Sequence, residues 1–138
     1  MRPEDELHEA VARALDILVM PPAEWTTFPA GHAKLPPAVA AKLARLGLKR
    51  GIPDILVWHD GRSCGIELKR PGGVLSKTRM VRTKRRGALR LVEGQADVFP
   101  RLVAAGMRIA VCRSVDEVLA ALRGWGVPLR PYVMTVAA

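Results

Sequence analysis

Asp54, Glu67 and Lys69 are the residues whose types and spacing could do chemistry. Asp54 closes the run Gly51-Ile52-Pro53-Asp54 and precedes Ile55 to Trp58, an apolar segment whose β-branched and aromatic content predicts a strand. His59-Asp60-Gly61-Arg62 supplies turn chemistry, and Cys64 to Lys69 reads as the return strand of an antiparallel hairpin. Because side chains alternate along a strand, Cys64, Ile66 and Leu68 share an apolar face while Gly65, Glu67 and Lys69 share the other. Asp54, at the start of the partner strand, can aim its carboxylate towards Glu67. Two carboxylates converging at a sheet edge suit a hard divalent cation such as Mg²⁺, and the Leu68 backbone carbonyl can add a third ligand. Lys69 can then orient an attacking water or stabilise the pentacovalent charge, which completes the parts that phosphodiester hydrolysis needs. A Glu and a Lys two apart on an exposed strand face are also commonplace, and Pro-Asp before a strand is often only a turn. The spacing by itself leaves a structural role open.

The elements that must position these residues follow from periodicity. Leu7, Val11, Ala14, Leu15 and Leu18 recur at the spacing of one helical face and predict a helix over residues 3 to 20. Pro21 and Pro22 end it, and the stretch to Pro37 reads as a loop. Pro37 suits a first helical position; Val39, Leu43 and Leu46 follow at helical spacing before Gly47, giving a short second helix. Pro71-Gly72-Gly73 breaks the return strand, and residues 74 to 91 show no clear period, so they read mostly as loop. A helix is expected over Gln95 to Ala105, with Pro100 kinking it or confining it to its first turns. Met107 to Cys112 reads as a buried strand. Ser114 and Glu117 then form a capping box ahead of Val118, Leu119 and Leu122, which predicts the last helix. After Gly124-Trp125-Gly126 the tail is expected to be extended or loose. The order predicts an α/β fold, a small central mixed sheet flanked by helices, in a single domain over residues 1–128 with a tail over 129–138.

Composition narrows the partners. The net charge of +9 belongs to one stretch: Lys69, Arg70, Lys77, Arg79, Arg82, Lys84, Arg85, Arg86 and Arg90 are nine cations with no acid among them, whereas the rest of the chain carries 13 of each sign. Such a field concentrates a polyanion, of which nucleic acid is the commonest; a solvated loop that only aids solubility is the other reading. No apolar run approaches the roughly 20 residues of a membrane span. The acidic opening, Glu4, Asp5 and Glu6, is the reverse of a signal peptide, so a cytoplasmic protein is expected. Cys64 and Cys112 lie in predicted strands without ligand spacing and read as reduced core thiols. His32, in the loop before the second helix, could contact phosphate or simply be solvated. Trp58 and Trp125 read as core or cover.

Taken in order, Gly51-Ile52-Pro53-Asp54, twelve intervening residues, Glu67-Leu68-Lys69, Gly72 or Gly73, Leu75-Ser76, Gln95 and Ala105-Gly106 resemble the VRR-NUC group of the PD-(D/E)XK nuclease superfamily. The resemblance runs from Glu6 to about Trp125. It implies a restriction-endonuclease-like core, dependence on Mg²⁺ or Mn²⁺, and DNA as substrate, including branched or junction DNA. It implies that Asp54 and Glu67 bind metal, that Lys69 is catalytic, and that Gln95 lies at the site edge. It also implies a glutamate on the first helix. Glu6, beside the apolar stripe, is favoured over Glu9, which shares a face with Arg13 and Asp16; simple stabilisation of the helix N-terminus is the alternative role for Glu6. One departure stands out: roughly seventeen extra residues, at about 74–92, separate Ser76 from Gln95. This basic insertion could be a DNA-contacting arm or a spacer.

Three functions therefore compete: a divalent-metal-dependent DNA endonuclease, a non-catalytic nucleic-acid-binding module that uses residues 69–90, and a small protein whose basic loop binds an acidic partner. A resolvase acting on junctions would need two active sites and hence a homodimer, for which an apolar patch near Trp125 is a candidate surface.

Overall fold

A computed structural model describes residues 3–28, 35–83 and 87–133. Helix α1 (Pro3–Leu18) leads into strand β1 (Glu24–Thr27), helix α2 (Pro37–Arg45) and the hairpin of β2 (Ile55–His59) and β3 (Arg62–Leu68). A second hairpin, β4 (Arg79–Arg82) and β5 (Leu89–Val92), precedes α3 (Gln95–Ala104), β6 (Arg108–Cys112) and α4 (Val115–Gly124). The main sheet has the order β1-β2-β3-β6, antiparallel except for the parallel pairing of β3 with β6. The fold is thus mixed α/β, as the periodicity predicts. Among the described residues no helix is long and apolar enough to cross a membrane.

The apolar face predicted for β3 is the core face. Cys64, Ile66 and Leu68 are buried with Ile55 and Val57 of β2 and Cys112 of β6, against Val11 and Leu15 of α1 and Val118, Leu119 and Leu122 of α4. Burying that many aliphatic side chains at roughly 1.5–3 kcal/mol each is what fixes the register of β3. Its opposite face is thereby committed to carrying Glu67. The tight turn of the hairpin has Asp60 at φ 53° and Gly61 at φ 73°, the two left-handed residues that match strand twist in a two-residue loop. Both cysteines are free, and burial raises their thiol pKa values, that of Cys112 to about 11, so they are unreactive core groups.

Four expectations are corrected. Residues 24–27, within a stretch read as loop, form β1, which pairs with β2 from Glu24↔Trp58 to Thr27↔Ile55. The basic insertion, read as mostly loop, contains β4 and β5 in antiparallel register from Arg79↔Val92 to Arg82↔Leu89. Pro100 does not confine α3, which continues to Ala104; a proline φ is already helical, and burial of Val98 and Phe99 in the turn that lacks one hydrogen bond holds the helix together. The tail is extended, the first of its two expected forms, and is pinned beside the end of α1: the Met20 amide donates to the Pro128 carbonyl (2.9 Å), and the Arg130 amide to that of Leu18 (2.8 Å). Trp125 and Tyr132 pack on the core, whereas Trp58, expected as core or cover, is 45% exposed and is not among the residues packed on it.

Candidate functional site

Asp54 and Glu67 meet because β2 and β3 are in register: Ile55 faces Ile66, so the residues just beyond face one another. Both are buried, at 6% and 2% exposure, which is rare for carboxylates and demands partners. The Leu68 amide donates to Asp54 Oδ2 (2.8 Å), and the Asp54 amide donates to Glu67 Oε1 (3.3 Å). Lys69 Nζ lies 3.2 Å from Glu67 Oε2, as strand alternation predicts. Burial first, and then the neighbouring Asp54 charge, push the Glu67 carboxyl up to about 7, against the opposing pull of the Gln95 hydrogen bond and Lys69.

Gln95 is the member that spacing could not place. It donates from Nε2 to Glu67 Oε2 at 2.6 Å, across 28 residues of chain. The Ser76 amide donates to Gln95 Oε1 (3.3 Å), which fixes the orientation of the side-chain amide. Ser76 also caps α3 from a distance: the Gln95 amide donates to Ser76 Oγ (3.0 Å) and the Ala96 amide to Ser76 O (2.9 Å), where the local cap, Gly94, has no side chain to offer. The Gly94 amide donates to Thr78 Oγ1 (3.0 Å). The insertion is therefore an arm stapled at its base, and the Leu75-Ser76 pair and Gln95 adjoin in space despite the residues between them.

Gly94 allows that staple. A Cβ there would strike the Lys77 carbonyl carbon, the Ser76 carbonyl oxygen and the Thr78 amide, all backbone and unable to swing aside. Gly94→Ala is expected to cost about 2–3 kcal/mol in urea unfolding. Unchanged stability would mean that the arm shifts freely on α3.

These residues line a cleft of about 340 Å³ whose walls include Glu4 and Asp5 of α1, Arg50, Leu68, Arg79 and Gln95. Glu6 is not on its wall and is exposed. At roughly 100° per residue, the first-turn residue that lies over the buried Val11/Leu15 stripe is Glu4, while Glu6 falls on the far side. The expectation for Glu6 rested on a stripe drawn through Leu7 and Leu18, but only Val11 and Leu15 are fully buried. Glu4 Oε1 pairs with Arg70 Nε at 3.5 Å.

The predicted cations are dispersed. Arg79 lines the cleft and Arg90 lines a second hollow beside α2. Arg82 Nη1 donates to the Gly87 carbonyl (2.8 Å) within the arm. Arg70 is held by Glu4, and Lys77 is exposed at the base of the arm. Lys84, Arg85, Arg86 and His32 lie outside the described residues. Sequence reasoning missed Arg50 and Arg113. Arg50 stands three residues before Pro53-Asp54, a proximity that could have flagged it. Arg113 Nη1 donates to the Arg70 (2.8 Å) and Gly73 (3.0 Å) carbonyls and braces the loop behind Lys69.

Among the described residues no group of three His, Cys, Asp or Glu side chains is placed to hold a metal ion. The Asp54/Glu67 pair still fits a hard cation: two adjoining buried carboxylates, of which Glu67 has its proton affinity raised by burial and by Asp54, are relieved by a divalent charge, and Mg²⁺ commonly takes one or two carboxylates and keeps water elsewhere. No protein-family model, curated protein or solved structure matches the chain.

Proposed function

We propose that the chain is a divalent-metal-dependent endonuclease that hydrolyses DNA phosphodiester bonds on a restriction-endonuclease-like core of the VRR-NUC kind. The observation that carries the reading is the buried Asp54/Glu67 pair with Lys69 Nζ 3.2 Å from Glu67 in an open cleft that Arg50 and Arg79 also line. Bound Mg²⁺ or Mn²⁺ would polarise the phosphoryl group and lower the pKa of the attacking water. Asp54 and Glu67 would hold the ion, joined by the carbonyl of Leu68, a residue that lines the same cleft. Lys69 carries positive charge where negative charge develops on phosphorus. Gln95 keeps Glu67 turned towards the cleft, and Arg79 and Arg50 offer phosphate contacts at its rim. Glu4 and Asp5 also line the cleft, and their charge limits how deeply a phosphate backbone enters.

The test is direct. The protein is incubated with end-labelled single-stranded, duplex and four-way-junction DNA in Mg²⁺, in Mn²⁺ and in EDTA. Cleavage of at least one substrate with either metal, and of none in EDTA, is expected. Salt-sensitive binding with no cleavage under any metal would instead identify a nucleic-acid-binding module. Symmetric double cuts in a junction would require a homodimer, which light scattering checks.

A further inference from the structure

Helix α2 has no buried residue. Its small apolar face, Pro37, Ala40, Ala41 and Ala44, continues into Leu48 and forms one side of a second hollow of about 360 Å³, within the range of small-molecule pockets, roughly 300–1,000 Å³. Leu35, Lys49, Arg50 and Arg90 complete it, and among the described residues that line it none is acidic. Arg50 also lines the cleft of Asp54 and Glu67, so the two depressions share a wall. The arm spans both: in the β4/β5 register Arg79↔Val92 and Val81↔Arg90 are on one face, with Arg79 at the cleft and Arg90 at the hollow.

An apolar side of alanines with a cationic rim, beside the cleft that holds Asp54 and Glu67, has the complementarity of a nucleotide: a base with flat apolar faces and an anionic backbone. We propose that this hollow is a nucleotide subsite. It takes the base of an unpaired deoxynucleotide next to the phosphate bound in the cleft, with Lys49, Arg50 and Arg90 on the flanking phosphates. A base inside a duplex is stacked and paired and cannot reach the alanines; one that is already unpaired is spared the unstacking. The inference rests on the nuclease reading of the cleft, and it names the substrate class: DNA with an unpaired nucleotide beside the cut.

Affinity is measured in EDTA by anisotropy, with a fully paired duplex and with the same duplex carrying one unpaired 2-aminopurine nucleotide. The parent is expected to prefer the second by about tenfold and to change its 2-aminopurine fluorescence. Ala41→Leu/Ala44→Leu fills the hollow with good helix formers on an exposed helix; it is expected to keep the parent's thermal stability and lose the preference. Lys49→Ala and Arg90→Ala are each expected to flatten the slope of log affinity against log salt by about one. Equal affinity of the parent for both duplexes, or an undiminished preference in the filled variant, overturns the proposal. Since these readouts need no cleavage, a preference that persists in a protein inert with every metal would sink the nuclease reading while supporting the subsite. Cleavage without the preference would remove the subsite alone.

Discussion

Asp54→Asn and Lys69→Met are each expected to lower metal-dependent cleavage of DNA by about 10²- to 10⁴-fold while leaving DNA affinity within a few-fold of the parent. The two substitutions remove different things from one small volume. Asp54→Asn keeps a side-chain oxygen that can accept the Leu68 amide, so the contact between the strand ends survives, but the anionic ligand is lost. Lys69→Met keeps the length and apolar stem of the side chain and removes only the ammonium beside Glu67. Lys69 has only about one-fifth of its side chain exposed, so thermal melts of the variant beside the parent separate a loss of rate from a loss of folding. Single-turnover cleavage with enzyme in excess separates rate from binding. If either variant cuts at the parent's rate, the reaction does not use this cleft, and activity in the preparation has another source.

How much of this was legible in the sequence depends on whether the controlling interaction is local. Helix α4 announces itself through Ser114, whose Oγ accepts the Glu117 amide at 3.1 Å, and the β2/β3 hairpin through its Asp60-Gly61 turn. Glu67 and Lys69 were placed together by strand alternation alone. Strand β1 was not visible because Glu24-Trp25-Thr26-Thr27 has no apolar alternation; β2 supplies its hydrogen bonds. In the arm, Met80, Leu89 and Leu91 point to solvent on the face opposite Arg79, so neither strand shows the inward-apolar pattern that marks a half-buried strand. The link from Gln95 to Glu67 is a tertiary event, made by an arm whose ends are stapled through Ser76 and Thr78. Glu6, expected beside the buried stripe of α1, lies away from it for a quantitative reason: a helix face is set by its most deeply buried residues, and Leu15 outweighs Leu18. Lys49 and Arg50 were hidden in the part of the chain whose charges balance, since net charge says nothing about which cations share a wall.

In EDTA, the folded chain is expected to lose up to about 3 kcal/mol of stability through Glu67 between pH 4.5 and 8, and Mg²⁺ or Mn²⁺ to restore stability most strongly at the alkaline end. The Glu67 pKa is about 7 in the folded state against 4.5 as the unperturbed value, raised first by burial and then by Asp54. The sign follows from which state holds the proton. Below pH 4.5 both states are protonated and the contribution is fully present. Between 4.5 and 7 the unfolded chain ionises first, so unfolding releases a proton and rising pH favours it. Above 7 both states are ionised and the loss is complete. At 1.36 kcal/mol per pH unit over that interval the total is about 3 kcal/mol, or roughly 10 °C in Tm for a chain of this size. Glu67→Gln isolates the effect, because the profile of the parent minus that of the variant removes every other titrating group. A cation that binds the ionised pair competes with the proton, so its Tm increment should grow from pH 6 to pH 8 and vanish in both Asp54→Asn and Glu67→Gln. Thermal melts across this pH range, with and without Mg²⁺ or Mn²⁺, read all of these terms. Parent and Glu67→Gln profiles that run parallel in EDTA would mean that Glu67 is not raised by its burial. A cation increment that survives in both variants would locate the ion elsewhere in the molecule.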